Sequence, residues 1–308
     1  MNETKDEHTS TQHRCGYVAL VGAPNAGKST FMNTVLGTKI SIVTPKPQTT
    51  RRRILGVYSA DAVQIIFMDT PGLIEPRYVL QESMVNSAIK AIREADVCIV
   101  LLDAERSSLH RPLFPEGLLD LFRQSGRPVL AVLNKIDLVH DKSNLLPLMD
   151  AIRTMYPFKA IIPISALTGD AMDTVLNEVE SLLPFGPPLY PQDELSDQPE
   201  RFFVSEIIRE KIFEQFRQEV PYATEVYITE FSEDEGKDYI AAEIVVERES
   251  QRRILIGAKG QSIRNIGIAA RTDIEEFLGR PVYLDLHVRI RDRWRDDRNW
   301  VRRLGYTD

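Results

Sequence analysis

The chain has 308 residues, 43% hydrophobic and 27% charged, a balance that excludes a disordered polymer and leaves room for two ordinary domains. A net charge of −7 excludes a uniformly basic nucleic-acid binder but not a local basic surface. No apolar run approaches the ~20 residues of a membrane helix, and neither Cys15 nor Cys98 lies in a C-x-x-C pattern, which excludes a disulfide or zinc framework.

The opening MNETKDEHTSTQHR is polar and has no apolar core, so residues 1–15 are expected to form a flexible extension rather than a secretory signal. The expectation that follows is a cytoplasmic, reduced protein. His8, His13, His110, His140 and His287 are scattered without metal-ligand spacing. From residue 16 to 183, short β-branched runs alternate with amphipathic ones. YVALV (17–21), VQIIFMD (63–69), VCIVLLD (97–103), PVLAVLN (128–134) and AIIPIS (160–165) read as buried strands. Helical patterns fall near 28–36, 79–94, 115–125, 143–155 and 170–183. This order predicts an α/β domain with a mainly parallel sheet. ILGVYS (54–59) ahead of VQIIFM predicts a hairpin, hence one antiparallel edge strand.

PFGPPLYPQDELSDQPE (184–200) carries five prolines and reads as a linker or boundary wrap. Beyond it, residues 201–308 follow the order helix, strand, strand, helix, helix, strand, a smaller α+β domain.

The first strand runs into GAPNAGKST, residues 22–30. It fits G-x-x-x-x-G-K-[ST] between a strand and a helix, the context of a phosphate-binding loop. Gly22 and Gly27 let the backbone curl, so that several N–H groups of the loop Ala23-Pro24-Asn25-Ala26, Pro24 having none, converge on one anion. The helix dipole starting near Lys28 adds to this. Lys28 is placed for the β- and γ-phosphates, the Ser29 hydroxyl for Mg²⁺, and Thr30 lies alongside. Asp69-Thr70-Pro71-Gly72 ends a parallel strand, with Asp69 reaching Mg²⁺ through water and the Gly72 amide facing the γ-phosphate. Asn134-Lys135-Ile136-Asp137 ends another strand. A buried Asp137 carboxylate there accepts from two guanine donors that adenine lacks, and the Lys135 stem lies along the base. Ser165-Ala166-Leu167 offers a backbone N–H to guanine O6. Each box alone is weak, since DTPG can be a turn and NKID a helix cap. Their order at strand carboxyl ends is specific.

These boxes resemble those of Ras-type GTPases of the translation-factor-like superfamily. That resemblance implies a P-loop sheet, GTP/GDP and Mg²⁺ as ligands, and a Mg²⁺-binding threonine in the switch loop KPQTTRRR (46–53), for which Thr49 and Thr50 both qualify. Lys28, Gly72 and Thr50 are then the candidates nearest the reacting phosphate. Arg51, Arg52 and Arg53 read either as a solvated loop or as phosphate or RNA contacts. Where Ras-like enzymes carry a water-orienting glutamine, this chain has Leu73, which implies slow intrinsic hydrolysis. Asn25 either stabilises the loop or, as in relatives with G-x-P-N-x-G-K-S, helps hold K⁺.

In the second domain, Ile256-Gly257-Ala258-Lys259-Gly260 places a Gly-x-x-Gly between two helices, the clamp of a KH domain. Arg253, Ile263 and Arg264 flank it as candidate RNA contacts. Residues 252–303 hold thirteen Lys or Arg against seven Asp or Glu, a local +6. Within RIRDRWRDDRNWVRR, Trp294 and Trp300 read as inward-packing. The arginines read as contacts to RNA or an anionic membrane.

A single GTPase domain followed by a type II KH domain, with QTTRRR, SEIIREKI, IVVERESQ, IGIAAR and a terminal LGY, resembles the bacterial Era family over residues 16–308. The resemblance implies a GTP-driven, RNA-stimulated factor in small ribosomal subunit assembly that grips the 3′ end of the small-subunit ribosomal RNA. It also implies a monomer with peripheral association at the cytoplasmic face of the membrane. A metabolic P-loop kinase, a double-GTPase ribosome factor and a tRNA-modifying GTPase are the alternatives. NKID, the single set of boxes and the KH-like end argue against them respectively.

Overall fold

The computed structural model describes residues 13–107, 112–233 and 236–306. His8, His110 and most of the N-terminal extension lie outside them. The first strand begins earlier than its apolar run suggests. β1 is Arg14–Gly22, because Cys15 and Tyr17 pair with Gln64 and Ile66 of β3, so the chain is already strand at positions assigned to the extension. Next come α1 (Lys28–Leu36), the hairpin β2 (Ile54–Ala60) and β3 (Val63–Asp69), α2 (Val79–Glu94) and β4 (Val97–Asp103). After these follow α3 (Leu118–Ser125), β5 (Val129–Asn134), α4 (Leu145–Met155), β6 (Ala160–Pro163) and α5 (Met172–Leu182).

The sheet order is β2-β3-β1-β4-β5-β6, with β2 antiparallel to β3 and the rest parallel. β3, β4 and β5 are buried along nearly their whole length, as expected for strands covered by helices on both faces. Register places Leu20 opposite Asp69 and Asp103 opposite Asn134, so the strands end together and the loops after β1, β3, β5 and β6 meet at one edge.

The proline-rich segment wraps the sheet. The Val57 amide donates to the Leu195 carbonyl at 2.9 Å and the Ser196 hydroxyl to the Leu55 carbonyl at 2.6 Å. Gln64 bonds the backbone of Leu189 and Tyr190. An otherwise open edge strand is thereby covered.

The second domain runs α6 (Glu200–Gln215), α7 (Val220–Ala223), β7 (Glu225–Ser232), β8 (Asp238–Val246), α8 (Glu249–Ile256), α9 (Gln261–Leu278), β9 (Val282–Ile290) and α10 (Arg298–Arg303). β7 pairs antiparallel and β9 parallel with β8. The core of Val204, Ile208, Ile212, Ile244, Ile266 and Ile274 joins α6 and α9 to this sheet.

The two domains meet over a smaller apolar cluster. Leu80 and Met84 of α2 touch Trp294, Val301, Leu304 and Tyr306. Trp294 is fully buried, and its indole N–H donates to the Ala223 carbonyl at 2.9 Å. The inward packing of Trp294 follows its apolar area and its single donor.

Candidate functional site: a nucleotide pocket coupled to an RNA groove

The phosphate-binding loop bends through positive φ at Gly22 (147°), Asn25 (64°) and Gly27 (95°). At Gly27 only a glycine fits, because a Cβ would lie 2.1 Å from Asn134 Nδ2. Lys28 folds back so that its ammonium donates to the carbonyls of Ala23 (3.1 Å) and Gly22 (3.3 Å). Burial pushes Lys28 down to about 8, against the opposing pull of Asp69. Pro24, Thr30 and Gly72 line the same cleft, while Ala26 is buried beneath it and Ala23 is exposed.

Three oxygen donors converge behind the loop. Ser29 Oγ lies 2.7 Å from Asp69 Oδ2 and 2.9 Å from Thr50 Oγ1, and Thr50 Oγ1 is 3.5 Å from Asp69 Oδ2. Thr50, not Thr49, is therefore the threonine that joins the cluster. Asp69 is fully buried and its Oδ1 has no hydrogen-bond partner among the described residues. Burial raises its carboxyl above the ordinary value, although Lys28, Ser29 and Thr50 pull it down. An orphaned buried carboxylate oxygen beside two hydroxyls fits a small hard cation with oxygen ligands, the chemistry of Mg²⁺. Among the described residues there is no group of three or more His, Cys, Asp or Glu side chains that could hold a metal.

Asn134 braces the base side. Its Nδ2 donates to the Ala26 carbonyl at 2.9 Å, while its Oδ1 accepts from Lys135 N (2.8 Å) and Ala166 N (2.9 Å). It thus ties the phosphate loop to the Ser165 loop. Lys135 takes positive φ (69°), and its ammonium lies 2.6 Å from Asp103 Oδ2. Asp137 is exposed rather than buried. It is held by the Ser165 hydroxyl at 2.6 Å, on the short turn Ile136–Leu138 after β5. Leu167 is 76% exposed beside it. Thr70 donates to the Leu20 carbonyl at 2.7 Å, fixing the buried Thr70-Pro71 turn. Asp103 and the pocket-lining Arg106 went unread in the sequence. Only the position of Asp103 at a strand end could have flagged it.

The arginines of the switch loop are anchored within the protein, Arg51 fully and Arg52 and Arg53 in part. Arg51 is buried and donates to Glu225 and the Thr224 carbonyl, both at 2.6 Å, and to the carbonyls of Pro221 and Tyr222. Arg52 Nη2 lies 3.6 Å from Glu225 and stacks on Tyr306, and Arg53 pairs with Glu94. In return, Arg209 of α6 donates to the Thr49 carbonyl at 2.6 Å, and Lys46 donates to the carbonyls of Phe213 and Phe216. Burial alone would raise the Glu225 carboxyl. Arg51, Arg52, Arg209 and the Tyr306 hydroxyl hold it below the ordinary value instead.

The Gly-x-x-Gly turn joins α8 to α9. Gly257 has φ 72° and ψ 178°, Lys259 φ 50° and Gly260 φ 77°. A Cβ at Gly257 would meet Ser262 Oγ at 2.2 Å. Ala258 and Lys259 are exposed, Ile256 is half-buried, and Arg253 is exposed near Glu249. Ile263 and Arg264 line a groove with Gly267, Ile268, Leu284 and Leu286. Ile268 is 53% exposed, an unpaired apolar side chain suited to stacking. The sequence signal for this wall was the mid-helix Gly267, which keeps the helix face thin.

Two family models match. One is described as a 50S ribosome-binding GTPase, over residues 17–135, and the other as a KH domain, over residues 219–295. "GTPase Era" of Nitratidesulfovibrio vulgaris is 44% identical, with 96% of this chain and 98% of that protein covered.

The chain belongs to the Era GTPase family.

An Era variant from Aquifex aeolicus bound to GDP and AlF4⁻ superposes with a TM-score of 0.91 at 43% identity, covering 96% of this chain and all of that one. An Era in complex with MgGDPNP and nucleotides 1506–1542 of 16S ribosomal RNA gives 0.92 at 42% identity over the same shares. A chloroplastic Era-like GTPase of Arabidopsis thaliana is 44% identical over 97% of this chain and 70% of that protein. Within this Era fold, four arginines of the basic C-terminal stretch form ion pairs, Arg289 with Glu243, Arg291 with Asp297, Arg295 with Glu247 and Arg298 with Glu82. Arg289, Arg291 and Arg298 remain exposed.

Proposed function

We propose that this chain is a GTP-hydrolysing switch that grips the single-stranded 3′ end of small-subunit ribosomal RNA and acts in small-subunit assembly. One observation carries the reading: consecutive residues of one loop serve two sites. Thr50 contributes its hydroxyl to the Ser29–Asp69 cluster, while Thr49 and Arg51 are bonded to the KH domain. A change in the nucleotide pocket must therefore strain the KH contacts. The solved Era complex with 16S nucleotides supports the choice of RNA.

Ser29, Thr50 and, through water, Asp69 would hold Mg²⁺, which neutralises phosphate charge when bound. Lys28 and the loop amides bind the β- and γ-phosphates, and the Gly72 amide senses the γ-phosphate. Asp137 selects guanine, and the Ala166 amide can join it once it turns from Asn134 Oδ1 to the base. Leu73 is half-buried and has no group to orient water, so intrinsic hydrolysis is slow and RNA accelerates it. Asn25 donates to the Pro45 carbonyl at 2.8 Å. Its other amide atom, an oxygen, suits K⁺, and replacing K⁺ by Na⁺ should slow turnover if it serves that role. Peripheral membrane contact finds weaker support, given the internally paired arginines. Flotation with anionic vesicles tests it, and sedimentation tests the proposed monomer.

The deciding experiment is binding of a short RNA copying that 3′ end, with a non-hydrolysable GTP analogue, GDP or no nucleotide. Tightest binding with the analogue, lost in Gly257→Asp/Gly260→Asp and reduced in the milder Lys259→Glu, is the expected result. Equal, purely salt-driven binding in every state would remove the RNA-coupled reading.

A further inference from the structure

A pocket lies at the domain seam, away from both the nucleotide cleft and the RNA groove. It encloses about 900 Å³ including its open mouth. Its walls are Arg52 and Arg53 at the end of the switch loop, Ser87 and Lys90 of α2, Gln198 of the linker and Tyr306 near the C-terminus. The charged groups facing it are paired only in part. Arg51 is consumed by Glu225 and backbone carbonyls. Arg53 lies 2.6 Å from Glu94, and Lys90 is 4.0 Å from the same carboxylate. Arg52 is held flat, 4.7 Å above the Tyr306 ring and 5.7 Å from the Phe202 ring, with Glu225 at 3.6 Å. Three carboxylates, Glu94, Glu206 and Glu225, thus stand against five cations, Arg51, Arg52, Arg53, Lys90 and Arg209, an excess of two positive charges. The Arg52 Nε–H is buried and donates to nothing among the described residues.

We propose that this pocket binds a phosphate group. A guanidinium that lines the pocket and is held over two aromatic rings is a preorganised oxyanion donor. Lys90 supplies a second, more mobile charge, and the short Ser87 side chain leaves the space open. The walls come from both domains and the linker, so a phosphate bound here stabilises the docked arrangement by mass action. The same chemistry is offered by a free phosphorylated molecule and by an RNA backbone.

The full chain, with its nucleotide site saturated by a non-hydrolysable GTP analogue, would be titrated with inorganic phosphate against chloride at equal ionic strength. The readouts are calorimetric binding and thermal midpoint. Saturable binding with a raised midpoint is expected, weakened about tenfold in Lys90→Gln, the loss of one charge-assisted contact, and abolished in Ser87→Glu. Neither residue touches nucleotide, so analogue affinity should be unchanged and confirms that the variants fold. Titrating the RNA in the presence of phosphate separates the sources. Competition assigns the site to RNA backbone, and simultaneous binding assigns it to a free phosphorylated molecule. No saturable binding in the wild type, or equal binding in all three proteins, overturns the proposal.

Discussion

Adjacent threonines in the switch loop have opposite roles. Thr50 presents a hydroxyl to the Ser29–Asp69 cluster, and Thr49 presents a carbonyl to Arg209. Thr50→Ala should therefore weaken Mg²⁺-dependent binding of a GTP analogue by about tenfold, near 1.5 kcal/mol, in a fluorescence titration. Thr49→Ala, which keeps its carbonyl, should leave that affinity nearly unchanged. Lys28, pushed down to about 8 by burial, gives a pH signature. A bound phosphate favours the charged ammonium, so nucleotide binding takes up a proton above that value. Affinity should fall as pH rises through about 8 and be flat below it, in titrations followed by nucleotide fluorescence. The four boxes can be proposed from sequence because each is contiguous and carries its chemistry on its own residues. The choice between Thr49 and Thr50 cannot, since it depends on which side chain faces β3. Nor can the Arg51 and Arg52 partners, because Glu225 lies 174 residues away from Arg51 in sequence.

At the scale of elements, periodicity located nearly every helix and strand, including the β2–β3 hairpin. The short α7 escaped because it holds a proline in its first turn. What joins elements is less visible in sequence. Asn134 reads as a guanine-box residue, yet it also laces β5 to the phosphate loop and to the segment after β6. Asn134→Ala leaves the buried Ala26 carbonyl and Ala166 amide without partners. It should lower unfolding stability by about 1–3 kcal/mol in chemical denaturation, beyond any effect on nucleotide. Likewise, β7 begins with Glu225, a carboxylate that three arginines from two domains surround. Glu225→Gln strands Arg51 in the interior and should cost about 3–5 kcal/mol, read as a lower denaturation midpoint with the nucleotide boxes intact.

Over the whole molecule, that carboxylate makes docking acid-sensitive. Its folded value lies below the ordinary one, so its contribution is fully present above about 4.3, the unfolded glutamate value. It is lost as pH falls through the lower folded value. Acidification should separate the domains before the GTPase sheet melts, and small-angle scattering with circular dichroism would register the two events apart. Domain order could be read from the change of pattern around residues 184–200. The docking itself could not, since it is made of long-range pairs. The covered edge of the sheet has one more consequence. The last anchor of the wrap is the Ser196 hydroxyl, and α6 starts at Glu200. Only residues 197–199 lie between them, bonded to near neighbours in the chain, a leash of about 10 Å when fully extended. The KH domain can pivot about that leash. To travel further it must first peel Leu195 and Ser196 from β2, so the reach of the RNA grip is set by the hydrogen bonds of an edge strand far from either ligand.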